Sequence, residues 1–227
     1  MAKVLMVLSS GYNDEANEYE TGWWGEELFA PLHALENAGH KVDLASPMGG
    51  KPTVDKNSFE PEYDPDGTYK ELYESGRADE TAKISEVIAE EYDALLIVGG
   101  HGAMFDLAKD DDLHRVINAV YDNGGIIGAE CHGPAPLIWT KRPDGKSIID
   151  GKKVTGYPDE IEPEGLLDNV LPFSLEQELS KIADYDKGDL NEKAHAVWAD
   201  DQIVTSRDPF SSELMGEELV KALEKRK

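Results

Sequence analysis

The chain has 227 residues, 40% hydrophobic and 30% charged, a globular composition long enough to bury a sizeable core. The 47 Asp and Glu against 22 Lys and Arg give a formal net charge of −25, which argues against nucleic-acid and anionic-membrane partners because phosphate binding needs clustered cations. The single cysteine excludes an internal disulfide and a multi-cysteine zinc site, and no apolar run reaches the roughly 18 residues of a membrane span. Such a charge repels itself in dilute buffer, and salt at about 1 M relieves this by shortening the Debye length to about 3 Å. A salt-adapted source is therefore expected, with an ordinary acidic cytosolic protein as the alternative. Lys outnumbers Arg, which suits a strongly halophilic proteome less well.

In chain order, "KVLMVLSS" at the N-terminus is a compact apolar run ending in small polar residues, the pattern of a buried parallel strand. The stretch turns acidic where a signal peptide would carry its small-residue cleavage site, so a cytoplasmic location is expected. "GEELFAPLHALENAG" places Leu28, Phe29, Leu32 and Leu35 at helical spacing, stopped by Gly39, and "HKVDLASP" alternates like a strand. From about 49 to 78 the chain is rich in Pro, Gly, Asp and Tyr without a clear period, a long excursion with some helix. "TAKISEVIAEEY" is predicted as a helix, "DALLIVGG" as a buried strand, and "DDDLHRVINAVYDNGG" as a helix with acidic residues at its positive dipole end. "IIGAE" reads as a short strand and "GPAPLIWT" as the start of a helix. Then "KKVTGYP" is predicted as a strand and "LPFSLEQELSKIA" as a helix. "AHAVWADDQIVTS" reads as two strands joined by an acidic turn, and "SSELMGEELVKALEKRK" as a closing amphipathic helix. Alternating strands and helices argue for one α/β domain over 1–227 with a mostly parallel sheet.

Two turns carry the chemistry. In "IIGAECHGP" the only cysteine, Cys131, stands where a strand gives way to a helix, with Gly128, Ala129 and Gly133 around it. A nucleophile on such a turn is held exposed beside helix-end amides that can stabilise an oxyanion, and the helix N-terminus is expected to depress the thiol pKa. A buried inert cysteine is the plainer alternative for this segment taken alone. In "IVGGHGAMFD", Gly99, Gly100 and Gly102 surround His101, which suits backbone amides aimed at a developing oxyanion. Alone, it is equally an ordinary glycine-rich turn with a surface histidine.

Together, "GGHGAMFD" followed some thirty residues on by "AECHGPAPL" resembles the PfpI/ThiJ superfamily, which shares the flavodoxin-like doubly wound fold of class I glutamine amidotransferases. "TGWWGEELFAPL", "GKKVTGYPDEIE", "LPFSLEQEL" and "IVTSRDPFSS" resemble its branch of glutathione-independent glyoxalases (glyoxalase III) and related heat-shock chaperones. Carried over residue by residue, the resemblance puts the nucleophile on Cys131 and its neighbouring histidine on His132. The acid of the first helix falls on Glu27, which keeps the spacing from Thr21-Gly22 and to Pro31. The acid orienting the histidine falls on Glu162, with Asp159 and Glu160 as competitors. Oxyanion donors fall on Gly100, or an adjacent amide of that turn, and on the amide of His132. The chain departs from the pattern at Glu130, where the family usually has an apolar or small residue. A carboxylate facing the sulfur would oppose thiolate formation, whereas strand alternation turns it away. Ser206 and Asp208 stand where relatives tend to carry Gly and Asn. Trp23 and Trp24 replace smaller apolar residues, as core filling or as a narrower entrance.

The resemblance implies a lyase that converts 2-oxoaldehydes such as methylglyoxal to 2-hydroxy acids. The Cys131 thiolate adds to the aldehyde, Glu27 moves a proton, and His132 assists. No cofactor or metal is expected, since the six histidines show no H-x-x-x-H spacing. The implied partner is a small reactive carbonyl, and the implied assembly a homodimer. Alternatives are a stress-response chaperone or redox-protective protein, a cysteine peptidase or amidase, and a deglycase of the same superfamily.

Overall fold

A computed structural model describes residues 1–226. Seven strands form the central sheet: β1 (Lys3–Val7), β4 (Lys41–Ser46), β5 (Ala82–Lys83), β6 (Ala94–Ile97), β7 (Ile126–Glu130), β10 (Ala196–Trp198) and β11 (Ile203–Ser206). Their spatial order is β10-β11-β7-β6-β1-β4-β5, parallel throughout except for β10, which runs antiparallel to β11. This is the doubly wound, flavodoxin-like arrangement. A hairpin of β2 (Tyr12–Asp14) and β3 (Tyr19–Thr21) and a parallel pair of β8 (Lys153–Val154) and β9 (Asp184–Tyr185) lie outside it. The helices are α1 (Gly25–Asn37), α2 (Thr68–Glu74), α3 (Asp111–Asp122), α4 (Ala135–Trp139), α5 (Leu166–Asn169), α6 (Leu175–Ser180) and α7 (Ser212–Lys225).

Strand alternation divides the core between the two faces of the sheet. Leu5, Val7, Leu95, Ile97, Ile127 and Ala129 pack toward α3, α4 and α6, while Val4, Met6, Leu96 and Ile126 pack toward α1 and α7. Each fully buried Leu, Ile or Val contributes about 1.5–3 kcal/mol, so the strands at the sheet centre anchor the domain. α1 and α7 approach closely where Gly216 meets Pro31 and Ala34. A methyl group at Gly216 would lie 3.0 Å from Ala34 Cβ and from Pro31 Cα. Pro31 stands inside α1 and supplies no amide hydrogen, which leaves the carbonyl of Glu27 without its helical partner.

Two sequence expectations need correction. "TAKISEVIAEEY" is not a helix: it forms edge strand β5, then single 3-10 turns at Ile84–Glu86 and Ala89–Glu91. Pairing of Ala82 and Lys83 with Ala45 and Ser46 takes this segment for the sheet, and Arg115 donates to the carbonyls of Ile84 and Val87. The β-branched Val87-Ile88 pair adds little helix propensity to resist this. "KKVTGYP" is a strand only at Lys153–Val154. Beyond it, the Thr155 amide donates to Thr205 Oγ1 at 2.8 Å and the Tyr157 amide to the Cys131 carbonyl at 2.9 Å. The excursion contains a 3-10 turn at Lys56–Phe59 and α2, tied back by bridges between Trp23 and Val54 and between Gly50 and Thr81.

Candidate active site

β7 ends at Glu130, and the next residue, Cys131, has φ +57°, a left-handed conformation costly for a side chain larger than Gly. Three backbone hydrogen bonds hold it there. The Cys131 amide donates to Ser206 O at 3.0 Å, its carbonyl accepts from Tyr157, and the Gly133 amide donates to Glu130 O at 2.7 Å. Gly133 is required by the turn, since a methyl group there would lie 2.8 Å from Glu130 O and 3.0 Å from its amide nitrogen. The same turn leaves the His132 amide between two amides already committed.

The sulfur sits between two carboxylates. On one side, Cys131 Sγ lies 3.2 Å from His132 Nδ1, and His132 Nε2 lies 2.6 Å from Glu162 Oε1. The other oxygen, Oε2, is 2.8 Å from His101 Nε2. Burial pushes Glu162 upward, but the hydrogen bonds of His132 and His101, and the positive charge these rings carry when protonated in acid, outweigh it and hold the carboxyl well below the ordinary range. Burial lowers the His132 pKa against the opposing pull of Glu162, which favours the neutral ring. An ionised carboxylate only accepts, so the His132 proton sits on Nε2 and the Nδ1 lone pair faces the thiol. The competitors of Glu162 lie elsewhere: Asp159 accepts from Ser174 at 2.6 Å, and Glu160 pairs with Lys187.

On the other side stands Glu27, in the first turn of α1 and wholly buried. Its Oε2 accepts from the Gly99 amide at 2.8 Å, and its carboxyl lies against the Cys131 thiol. Burial drives the Glu27 pKa well above the usual carboxylate range despite these two contacts. A methyl group at Gly99 would collide with Glu27 Oε2 and lie 2.9 Å from Cys131 Cβ, so only glycine lets the three meet. Gly100, at φ +88°, turns its amide toward the sulfur.

The expected depression of the thiol pKa is not observed. Burial and the Glu27 charge push Cys131 well upward, and the Gly100 amide only partly opposes them. The helix that follows, α4, is a five-residue segment whose dipole does not offset complete burial. The sequence gives His101 no role, since the glycines around it suggest only backbone donors. It is buried and shares Glu162 with His132, their rings 4.4 Å apart. His101, His132 and Glu162 also bring ligand atoms within 4.8 Å of one another, a cluster that spacing along the chain does not reveal. Trp23 fills the core, while Trp24 stacks edge-on against Tyr63 with centroids 4.9 Å apart. Tyr63 and Tyr157 both lie close enough to feel the charge of Cys131.

Residues 20–222 match the DJ-1/PfpI family. The chain belongs to that family. It is 32% identical to glyoxalase 3 of Candida albicans over 168 residues, 70% of each chain. It is 34% identical over 165 residues, 69% of each chain, to the Saccharomyces cerevisiae protein named glutathione-independent glyoxalase HSP31. The fold is similar to the crystal structure of glyoxalase III from Candida albicans, with a TM-score of 0.85 and 29% identity over 97% of both chains.

Proposed function

We propose that the chain is a glutathione-independent glyoxalase-type lyase that converts small 2-oxoaldehydes, such as methylglyoxal, to 2-hydroxy acids. The observation that carries this reading is one sulfur flanked by two carboxylates of opposite character. Glu27 lies directly against it, and Glu162 reaches it through His132. The similarity to proteins named glutathione-independent glyoxalase supports it.

In this mechanism His132 Nδ1 accepts the thiol proton as Cys131 Sγ bonds to the aldehyde carbon, and the resulting oxyanion is met by the Gly100 turn and the His132 amide. Glu27 then removes the hydrogen from that carbon, and its electron pair forms the double bond of an enediol while the second carbonyl oxygen takes the proton held by His132. As the first oxyanion re-forms a carbonyl, Glu27 returns a proton to the neighbouring carbon. The product is a thioester of the 2-hydroxy acid, which water activated by His132 cleaves, regenerating the thiol. Oxidation of the first carbon is matched by reduction of the second, so no external oxidant is needed. Burial is what makes Glu27 suited to the work, because a carboxylate with a raised pKa is a stronger base nearer neutrality.

A peptidase or amidase would use the same cysteine, histidine and acid, but Cys131 is only 3% exposed, which suits a three-carbon substrate better than a peptide. The proposed working unit is a cytoplasmic homodimer in a salt-adapted cell. The test is methylglyoxal consumption with lactate detection, in high salt and without glutathione, for wild type, Cys131→Ala and Glu27→Gln. Lactate formation abolished in both variants supports the reading, and its absence from folded wild type overturns it.

A further inference from the structure

Behind Glu27, a second polar layer takes no part in the mechanism above. Alternation along β7 sends Ile126 toward α1 and α7, and a methyl group at Gly128 would point the same way, at Met215 and Leu219. Glu130 shares that face. Its register partner on β11 is Ser206, and Ser212 opens α7. Glu130, Ser206 and Ser212 are wholly buried, against an otherwise apolar cluster. Both carboxylate oxygens of Glu130, the two serine hydroxyls and Glu27 Oε1 make no hydrogen bond of ordinary geometry. Each such buried group costs about 1–3 kcal/mol, so a cluster of them needs a functional reason. Glu26 Oε2 is also unpartnered, although the residue reaches a surface cavity of about 370 Å³ lined by Tyr63, Tyr69, Lys193 and Glu213.

The carboxyls run in series from the thiol outward. Glu27 touches Cys131, Glu130 feels the charges of Glu27 and Glu26, and Glu26 in turn faces Glu213, Lys193, Asp208 and Asp64. Asp208 is occupied by Arg207 at 2.7 Å and by Ser211 at 2.8 Å. Burial and the neighbouring Glu27 push Glu130 well above the carboxylate range against the pull of Ser212, a shift that favours its protonated form. Burial and Glu213 push Glu26 up to about 8.

We propose that Glu130, flanked by Ser206 and Ser212, is a proton store behind Glu27 that exchanges with solvent through Glu26, so that the hydrogen placed on the product's second carbon is drawn from solvent. The inference rests on the glyoxalase reading. One proton leaves the first carbon for Glu27 while its electron pair stays in the enediol. Protons then pass among Glu27, Glu130 and Glu26, and one is delivered from Glu27 to the second carbon. No charge or electron is gained or lost by the protein. Glu130 is here a positioning residue, acting on substrate only through Glu27.

The test is turnover of methylglyoxal in D2O, with deuterium at the second carbon of lactate read by NMR. Wild type is expected to place deuterium there in most product molecules. Glu130→Gln, which neither takes nor gives a proton, is expected to cut that fraction by about threefold or more, with the first-carbon hydrogen retained instead. Wild-type lactate that keeps the original hydrogen, or equal deuterium in the variant, overturns the store. Should Glu130→Gln fail to fold, the partly exposed Glu26→Gln serves, and an unchanged deuterium fraction there is equally fatal. Infrared difference spectra separate this idea from the glyoxalase reading. A protonated-carboxyl band at neutral pH that Glu130 accounts for is expected even if wild type makes no lactate, and its absence overturns the store by itself.

Discussion

Replacing Glu27 by Gln separates the acidity of Cys131 from its catalytic use. In the wild-type site the thiol and the Glu27 carboxyl are buried against one another and compete for charge, so removing protons from both requires two adjacent anions. At a contact distance of about 4 Å and an effective dielectric of about 20, that repulsion is worth about 4 kcal/mol, a ceiling of about three pKa units. Gln keeps the shape, removes the charge and offers the sulfur an amide donor. The pH at which alkylation by iodoacetamide reaches half its maximal rate is therefore expected to fall by about one to three units in Glu27→Gln. Lactate formation is expected to fall by about 100-fold or more, because no general base remains. The assay is alkylation followed by mass spectrometry from pH 5 to 11, beside lactate detection on the same samples. Coincident alkylation profiles, or a profile moved to higher pH in the variant, would refute the reasoning, since Glu27 would then not be the group that opposes thiolate formation.

Further outcomes follow from the geometry and from the net charge. Glu162→Gln is expected to lower turnover by about 100- to 10,000-fold, read in the same lactate assay, because His132 loses the acceptor that fixes its tautomer. The Glu162 carboxyl is held below its unfolded value, so its contribution to stability is present above about pH 4.3 and is lost as pH falls through the lower folded value. Acid titration of thermal stability should accordingly be flatter in Glu162→Gln. Gly99→Ala, which forces Glu27, Glu130 and Cys131 apart, is expected to destabilise the fold by about 1–3 kcal/mol in urea unfolding and to lose activity with it. With a net charge of −25, the midpoint of thermal unfolding should rise by about 4–8 °C between low salt and about 1 M KCl, corresponding to about 2 kcal/mol of relieved repulsion.

The central strands and flanking helices were legible because their signals are local. Apolar runs such as "ALLI" and "IIGAE" end in glycine-rich or capped turns, and the spacing of Leu28, Phe29, Leu32 and Leu35 fixes the buried side of α1. The segment from Thr81 to Tyr92 was not, because its conformation is set by a distant edge, the open side of β4, rather than by its own pattern. The site divides in the same way. Cys131 and His132 are neighbours in sequence and could be paired on paper. His101 joins only because Glu162, from a loop 61 residues away, accepts from both histidines. Glu130 departs from the family pattern, and alternation gives its direction. That it lands in a buried layer with Glu27, Ser206 and Ser212 depends on how β11 and α7 are laid against β7.

The two carboxylates around Cys131 explain why the raised thiol pKa is compatible with the proposed chemistry. Environments that drive neighbouring acids apart assign them different work. Glu162, held ionised by two histidines, cannot move protons near neutrality but fixes the His132 lone pair on the sulfur, so the thiol is deprotonated as it attacks rather than stored as thiolate. Glu27, driven upward by burial, is poor at resting as an anion and correspondingly strong at taking hydrogen from carbon. A preformed thiolate beside an ionised Glu27 would place two anions in a dry pocket, and the left-handed turn at Cys131 already commits strain to that point. Once the sulfur is bonded to carbon it can no longer become an anion beside Glu27, which can then release its proton to solvent and act as the base in the next step. The order of events, thiol addition before proton abstraction, thus follows from the electrostatics of the two residues.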